Sequence, residues 1–316
     1  MNKSPEFAGI FYPEKSEEIT NLLNSFKLED NIEYKSKAII VPHAGVNYSG
    51  YAAMAAFQRL EVSENIFIIA PSHHFKFDNI AMPKYSFFDT PLGSLEVNNK
   101  LIAEIAGKFP VYISDEPFNK EHSIEVQLPF IQNLFYPQVQ SAMDFVKGLK
   151  NIGKKIKIIP VLVGTCDYTL ISDIISKYWE TSSFVISSDL SHYYTKDECH
   201  QIDTYTAAII ESGNLESFQQ QQACGLTAIK GLVNFANSMD CSMIRVMMYN
   251  SGDISKETDR VVGYGSWFLY SGNKNDYIEA FHSQYLLKAA KASIIAGFSN
   301  QDFVPEHIPP VLAQYG

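Results

Sequence analysis

The sequence predicts one α/β layered domain rather than two domains, on two observations. First, short apolar, β-branched runs alternate with helical segments through most of the 316 residues. Second, three of those runs stop at a small-residue turn that delivers a metal-binding or proton-moving side chain. Residues 38–42 (AIIVP) run into His43, and 66–71 (IFIIAP) into Ser72, His73 and His74. Residues 184–186 (FVI) run into Ser187, Ser188, Asp189 and then His192, and a less regular stretch, 220–223, leads into Cys224-Gly225. Ligands of α/β sheets collect beyond the carboxyl ends of the strands, so these groups are expected to converge on one site.

Taken in order, a helix starts near Ser16, with Glu17 and Glu18 in its first turn and Ile19, Leu22, Leu23 and Phe26 as its apolar face. Strand 38–42 and a Gly-containing loop, 43–50, lead into an Ala-rich helix at 51–60. Strand 66–70 follows, and 80–98 is extended and turn-rich, with a turn at 90–93 (TPLG). A helix at 99–108 and a short strand at 111–114 precede 121–129, which reads as a helix stopped near Pro129. Residues 157–164 and 184–188 are buried strands, and 243–249 and 261–270 are strands paired across the 251–260 loop. Residues 277–295 have the apolar spacing of an amphipathic helix, and 296–316 are loop-like.

Composition narrows the function. Apolar residues make up 46% of the chain, enough for a sizeable core. The net charge of −10, with no basic block, argues against nucleic acid as a partner. No run approaches the length of a membrane span and the N-terminus lacks a signal-type apolar core, so a soluble cytoplasmic protein is expected. The four cysteines form no C-x-x-C pair, which excludes a zinc ribbon.

The motifs then point to a family. AGIFYP (8–13), VPHAGVNYSG (41–50), APSHH (70–74), DTPLG (89–93), EHSIEVQLPF (121–130), IPVLVG (159–164), SSDLSHY (187–193) and the Cys224-Gly225 pair resemble, in order and spacing, the Memo family, also called protein B of the AmmeMemoRadiSam system. The resemblance implies the fold of class III extradiol dioxygenases, a layered sandwich with a central mixed sheet flanked by helices. It places metal ligands at His43, His73 and Cys224, with Asp189 and His192 beside them. Val46 stands where the usual PHAGYxYSG pattern has Tyr. It also implies AMMECR-type and radical SAM proteins of the same system as partners. The tail, YLLKAAKASI (285–294) and VPEHIPPVLAQYG (304–316), resembles the opening of an AMMECR-type domain, as in a split or truncated fusion.

Each site residue also has a plainer reading. A histidine past a strand is often a hydrogen-bonded structural group, and a buried cysteine an inert filler; the motif match favours ligation for His43, His73 and Cys224. Adjacent side chains diverge, so His73 rather than His74 is expected to face the metal. Asp189 and His192 read as a base and its orienter, as hydrogen-bond partners of a ligand histidine, or as caps of the turn. His122 and Glu125, three apart, line the cleft as a general base or form a solvated polar pair.

A His₂Cys set suits iron or copper, with zinc compatible, and not magnesium or calcium. Redox or oxygenase-like chemistry on an unknown small substrate is the first expectation. A thiolate in place of the extradiol carboxylate argues against catechol cleavage. The alternative is a non-catalytic scaffold whose cleft grips a peptide or partner. A hydrolase using Ser188 or Ser191 with its sequence neighbours is disfavoured, because triad members come from separate elements.

Overall fold

The apolar runs at 38–41, 65–71, 157–163 and 182–187 lie side by side as the parallel centre of a mixed sheet. The computed structural model describes residues 1–28, 34–136, 156–219, 221–272 and 277. Through these the chain runs β1 (Asn2–Lys3), α1 (Ser16–Ser25), β2 (Ala38–Val41), α2 (Val46–Phe57), β3 (Asn65–Pro71), β4 (Ile80–Met82), β5 (Phe87–Thr90), β6 (Gly93–Glu96), α3 (Asn99–Ala106) and β7 (Val111–Ile113). It continues through α4 (His122–Glu125), α5 (Leu128–Phe135), β8 (Lys157–Val163), α6 (Tyr168–Tyr178), β9 (Ser182–Ser187), β10 (His192–Tyr194), α7 (Lys196–Ser212), α8 (Leu226–Ser238), β11 (Ser242–Asn250), α9 (Ser251–Ser255) and β12 (Val261–Tyr270).

Spatial order in the large sheet is β10–β12–β2–β9–β3–β8–β4–β7, with β11 also paired to β12. β12 is antiparallel to β2, and β4 antiparallel to β8, which makes the sheet mixed. Every residue of β2 and β9 is buried, the pattern of strands covered on both faces by helices. Helix α2 contacts β2 and β12, α6 packs on α8, and α8 reaches β9 and β3. Phe57 of α2 stacks on Phe130 of α5 with centroids 5.2 Å apart, which fixes α5 and the short α4 just before it. The fold is thus α/β, with a large mixed sheet and flanking helices.

Three local readings shift. Helix α2 begins at Val46, inside the expected loop, because Phe11 O accepts the Val46 N–H that would otherwise be left open at the helix start. The segment 121–129 is not one helix: α4 ends at Glu125 and α5 starts at Leu128, with Pro129 in its first turn where the missing N–H costs no bond. The 251–260 loop holds α9, capped by Asn250 and Asp253, while β11 and β12 pair as expected. The 90–93 turn joins the hairpin β5–β6. Tyr277 packs its ring on Tyr34, Phe268 and Tyr270. The rest of the predicted 277–295 helix, the 296–316 loop and the AMMECR-like stretches lie outside the described residues. Among the described residues, no helix is long and apolar enough to cross a membrane.

Candidate metal centre

Because β2, β9 and β3 are parallel neighbours in register (Val41 opposite Ser187, Ile186 opposite Ile69), their carboxyl ends open on one side of the sheet. His43 stands two residues beyond β2, His73 two beyond β3, and His122 opens α4. One ring nitrogen from each lies within 4.8 Å of the others, a group that could hold a metal ion. The ring centroids are 5.2 Å (His43–His73), 5.3 Å (His43–His122) and 4.8 Å (His73–His122) apart. His43 is buried, whereas the His73 side chain keeps 26% of its exposure, so the centre is reached from the His73 side.

Glu121 organises the outer two histidines. Its Oε1 lies 2.9 Å from His73 Nδ1 and accepts from Ser123 N at 3.0 Å, while Oε2 accepts from His73 N at 2.6 Å. Burial alone would raise this carboxyl, but the hydrogen bonds from the His73 ring and backbone and from Ser123 N outweigh it and bring its pKa to about 2. The carboxylate is therefore ionised and can only accept. His73 Nδ1 must carry the proton, which leaves Nε2 bare for a ligand. His122 Nδ1 is 3.5 Å from the same Oε1, a longer contact. Burial, then the neighbouring imidazoles, lower His43 to about 3 and His122 to about 4. Both are neutral at pH 7, the state a metal requires.

Cys224 joins from α8's approach. Its Sγ sits 3.3 Å from His43 Nε2 and accepts from Asp189 N at 3.3 Å. Burial, then the Asp189 charge, push its thiol up to about 12. Cys224 thus borders the three-histidine group through His43, and the group brings in His122, which the sequence reading had placed in the cleft and not among the ligands. Gly225 permits this approach: a Cβ there would lie 2.7 Å from Ser188 Cβ. On its outer side Cys224 borders a cavity of about 200 Å³, walled by Ser72, Phe75, Phe77, Thr165 and Thr227.

Of the remaining expected residues, Asp189 stays against the centre and Glu125 leaves it. Asp189, buried and raised by that burial, directs Oδ1 at the backbone N–H groups of His43 (2.8 Å) and Ala44 (3.2 Å). His192 Nδ1 lies 2.8 Å from Leu190 O, so Nδ1 carries the proton there and Nε2 is the open nitrogen. Glu125 faces away from the histidines. Its carboxylate accepts from Glu6 N, Phe7 N and Tyr12 Oη and ties down the segment 6–12, whose Phe11 ring rests 4.5 Å from that of His122. Sequence reasoning assigned no role to Glu121, Ser187 or Gln127. The signal for Glu121 was present as an acidic side chain immediately before a helix-opening histidine, at the N-cap position.

The class these observations define is an α/β protein with a large mixed sheet and, beyond its parallel strand ends, a three-histidine cluster that could hold a metal ion. The chain belongs to the Memo-like protein family, whose model matches residues 3–268. It is 30% identical over 279 residues to a MEMO1 family protein of Thermoplasma acidophilum, covering 84% of this chain and 98% of the relative. A MEMO1 family protein of Aquifex aeolicus is 31% identical over 283 residues, covering 84% of this chain and 99% of the relative.

Proposed function

We propose that this chain is a Memo-family metalloprotein that holds iron or copper, with zinc as the third choice, at His43, His73 and His122. Cys224 is a further donor once its proton leaves. The observation that carries this is the convergence of three imidazoles, one pinned by a buried carboxylate, beside a thiol. That donor set suits iron, copper or zinc rather than magnesium or calcium, which take oxygen ligands. When bound, iron or copper would supply redox chemistry, and zinc Lewis acidity.

The protein's own groups have distinct tasks. Glu121 orients His73, Asp189 holds the His43 backbone, and His192, with its open Nε2, moves protons to or from a small substrate. The cavity beside Cys224, about 200 Å³, has room for roughly ten heavy atoms, which favours a small molecule. The resemblance to class III extradiol dioxygenases supports oxygenase-like or redox chemistry, whereas the thiol argues against catechol cleavage. AMMECR-type and radical SAM proteins of the same system are the proposed partners. A second reading, a peptide- or partner-binding scaffold, is favoured by the exposed rings of Tyr48, Tyr51 and Tyr193.

Elemental analysis of protein purified without oxygen or affinity-tag metal separates the readings. Near-stoichiometric iron or copper, lost in His43→Ala and weakened in Cys224→Ala, is the expected result. A well-folded wild type that takes no metal even on reconstitution would leave the scaffold reading standing.

A further inference from the structure

We infer that Ser187, held by Gln127, decides which nitrogen of His43 carries the proton, and so turns a bare Nε2 toward the centre. The hydrogen-bond arrangement carries this without reference to any ion; its consequence for binding rests on the metal reading above.

The argument is a count of protons. Ser187 Oγ has three partners: Ser123 O at 2.7 Å, Gln127 Nε2 at 2.8 Å and His43 Nδ1 at 2.9 Å. A hydroxyl has one hydrogen and two acceptor positions. Ser123 O is a carbonyl and only accepts, so it takes the hydroxyl hydrogen. The amide of Gln127 cannot be turned round, because its Nε2 also donates to Pro42 O at 2.9 Å. Gln127 therefore fills one acceptor position of Ser187, and the other faces His43 Nδ1. Were Nδ1 bare, two lone pairs would meet at 2.9 Å in a place with no water to intervene. Ser123, Gln127 and Ser187 are all fully buried. Nδ1 must hold the hydrogen, and Nε2 is the free nitrogen.

Gln127 supplies an independent sign. Its Oε1 is buried and has no hydrogen-bond partner among the described residues. Burying an unpaired carbonyl costs stability that an apolar side chain of the same shape would avoid. The amide is retained for its other end, which orients Ser187. The same proton count settles the neighbour: with Nε2 bare, the Cys224 thiol 3.3 Å away is the donor of that contact. Ser187 and Gln127 are thus positioning residues acting through His43.

The test is the ring ¹⁵N signature of His43 in metal-free protein at neutral pH, read for wild type, Ser187→Ala, Ser187→Thr and Gln127→Leu. Wild type is expected to show a protonated Nδ1 and a bare Nε2. Ser187→Ala should mix or reverse the tautomers, Ser187→Thr restore them, and Gln127→Leu loosen the preference, with the His73 signature unchanged throughout. Zinc affinity by chelator competition should fall about ten- to a hundredfold in Ser187→Ala. A wild-type His43 protonated at Nε2 overturns the inference whatever the variants do, as does an unchanged tautomer in folded Ser187→Ala. The expected tautomers in a protein that binds no metal would uphold the inference and remove the metal reading alone.

Discussion

Cys224 Sγ and His43 Nε2 lie 3.3 Å apart, although 181 positions separate the two residues in the chain. The contact joins the turn after β2 to the N-terminus of α8 and places a thiol against an imidazole that cannot readily take its proton. Burial and the Asp189 charge hold that thiol up at about 12.

Cys224 of the metal-free protein should therefore be unreactive despite bordering a cavity. Alkylation by iodoacetamide at pH 7.5 should run orders of magnitude slower than for free cysteine, and quicken about tenfold per pH unit up to pH 10. Peptide mapping by mass spectrometry reads the rate. A plateau near pH 8 would show an ordinary or activated thiol and contradict the assignment.

The ligand set should separate by variant. His73→Ala and His122→Ala are expected to weaken zinc or iron binding by about a hundredfold or more, beyond the roughly ten- to hundredfold typical of residues that only support a ligand. Cys224→Ser should cost about tenfold, as an adjacent donor. Chelator competition measures all three. Wild-type affinity in His122→Ala would return the site to His43, His73 and Cys224.

Acid should destabilise the metal-free protein early. His43 and His122 titrate at about 3 and about 4 when folded, against an ordinary 6.5 when unfolded. Between those values the unfolded chain binds protons that the folded chain refuses, so stability falls as the pH drops from about 6.5. Glu121, at about 2 instead of 4.5, adds a loss confined to the range below about 4.5. Urea midpoints from pH 7 to pH 4 should decline in wild type and less steeply in His122→Gln, where His43 alone remains. A midpoint constant down to pH 5 would contradict burial of neutral imidazoles.

Glu125 has a structural task on this geometry. Glu125→Ala removes the acceptor of two backbone N–H groups and the Tyr12 hydroxyl. A loss of roughly 2–4 kcal/mol is expected, together with faster hydrogen exchange over residues 6–12. Metal stoichiometry should persist. Unchanged exchange there would mean that the carboxylate does not hold the segment.

The strands and the turns after them were legible because their signals are local. A β-branched run with both faces buried and a small-residue stop describes 38–42 or 66–71 without knowledge of the rest of the molecule. His43 and His73 were legible for the same reason, since each follows its strand directly. Pro129 misled because one residue has two local meanings, helix stop and first-turn residue, and only packing on Phe57 selects the second. His122 and Glu125 part in another way: α4 is a single turn, so their spacing does not hold the side chains together; His122 lines the centre as expected, while Glu125 is drawn to residues 6–12.

From its own residues, then, the chain determined which segments extend, where they stop and which of them carry imidazole, thiol or carboxylate at the stop. Tertiary structure decided which of those groups meet. β9 lies between β2 and β3, against chain order, and this brings Ser187 beneath His43 and the α8 entry beside it. Convergence of this kind depends on strand order and on helices packed across the sheet, contacts between residues more than a hundred positions apart. No local pattern encodes them, because the free energy that selects them comes from burying the whole core at once.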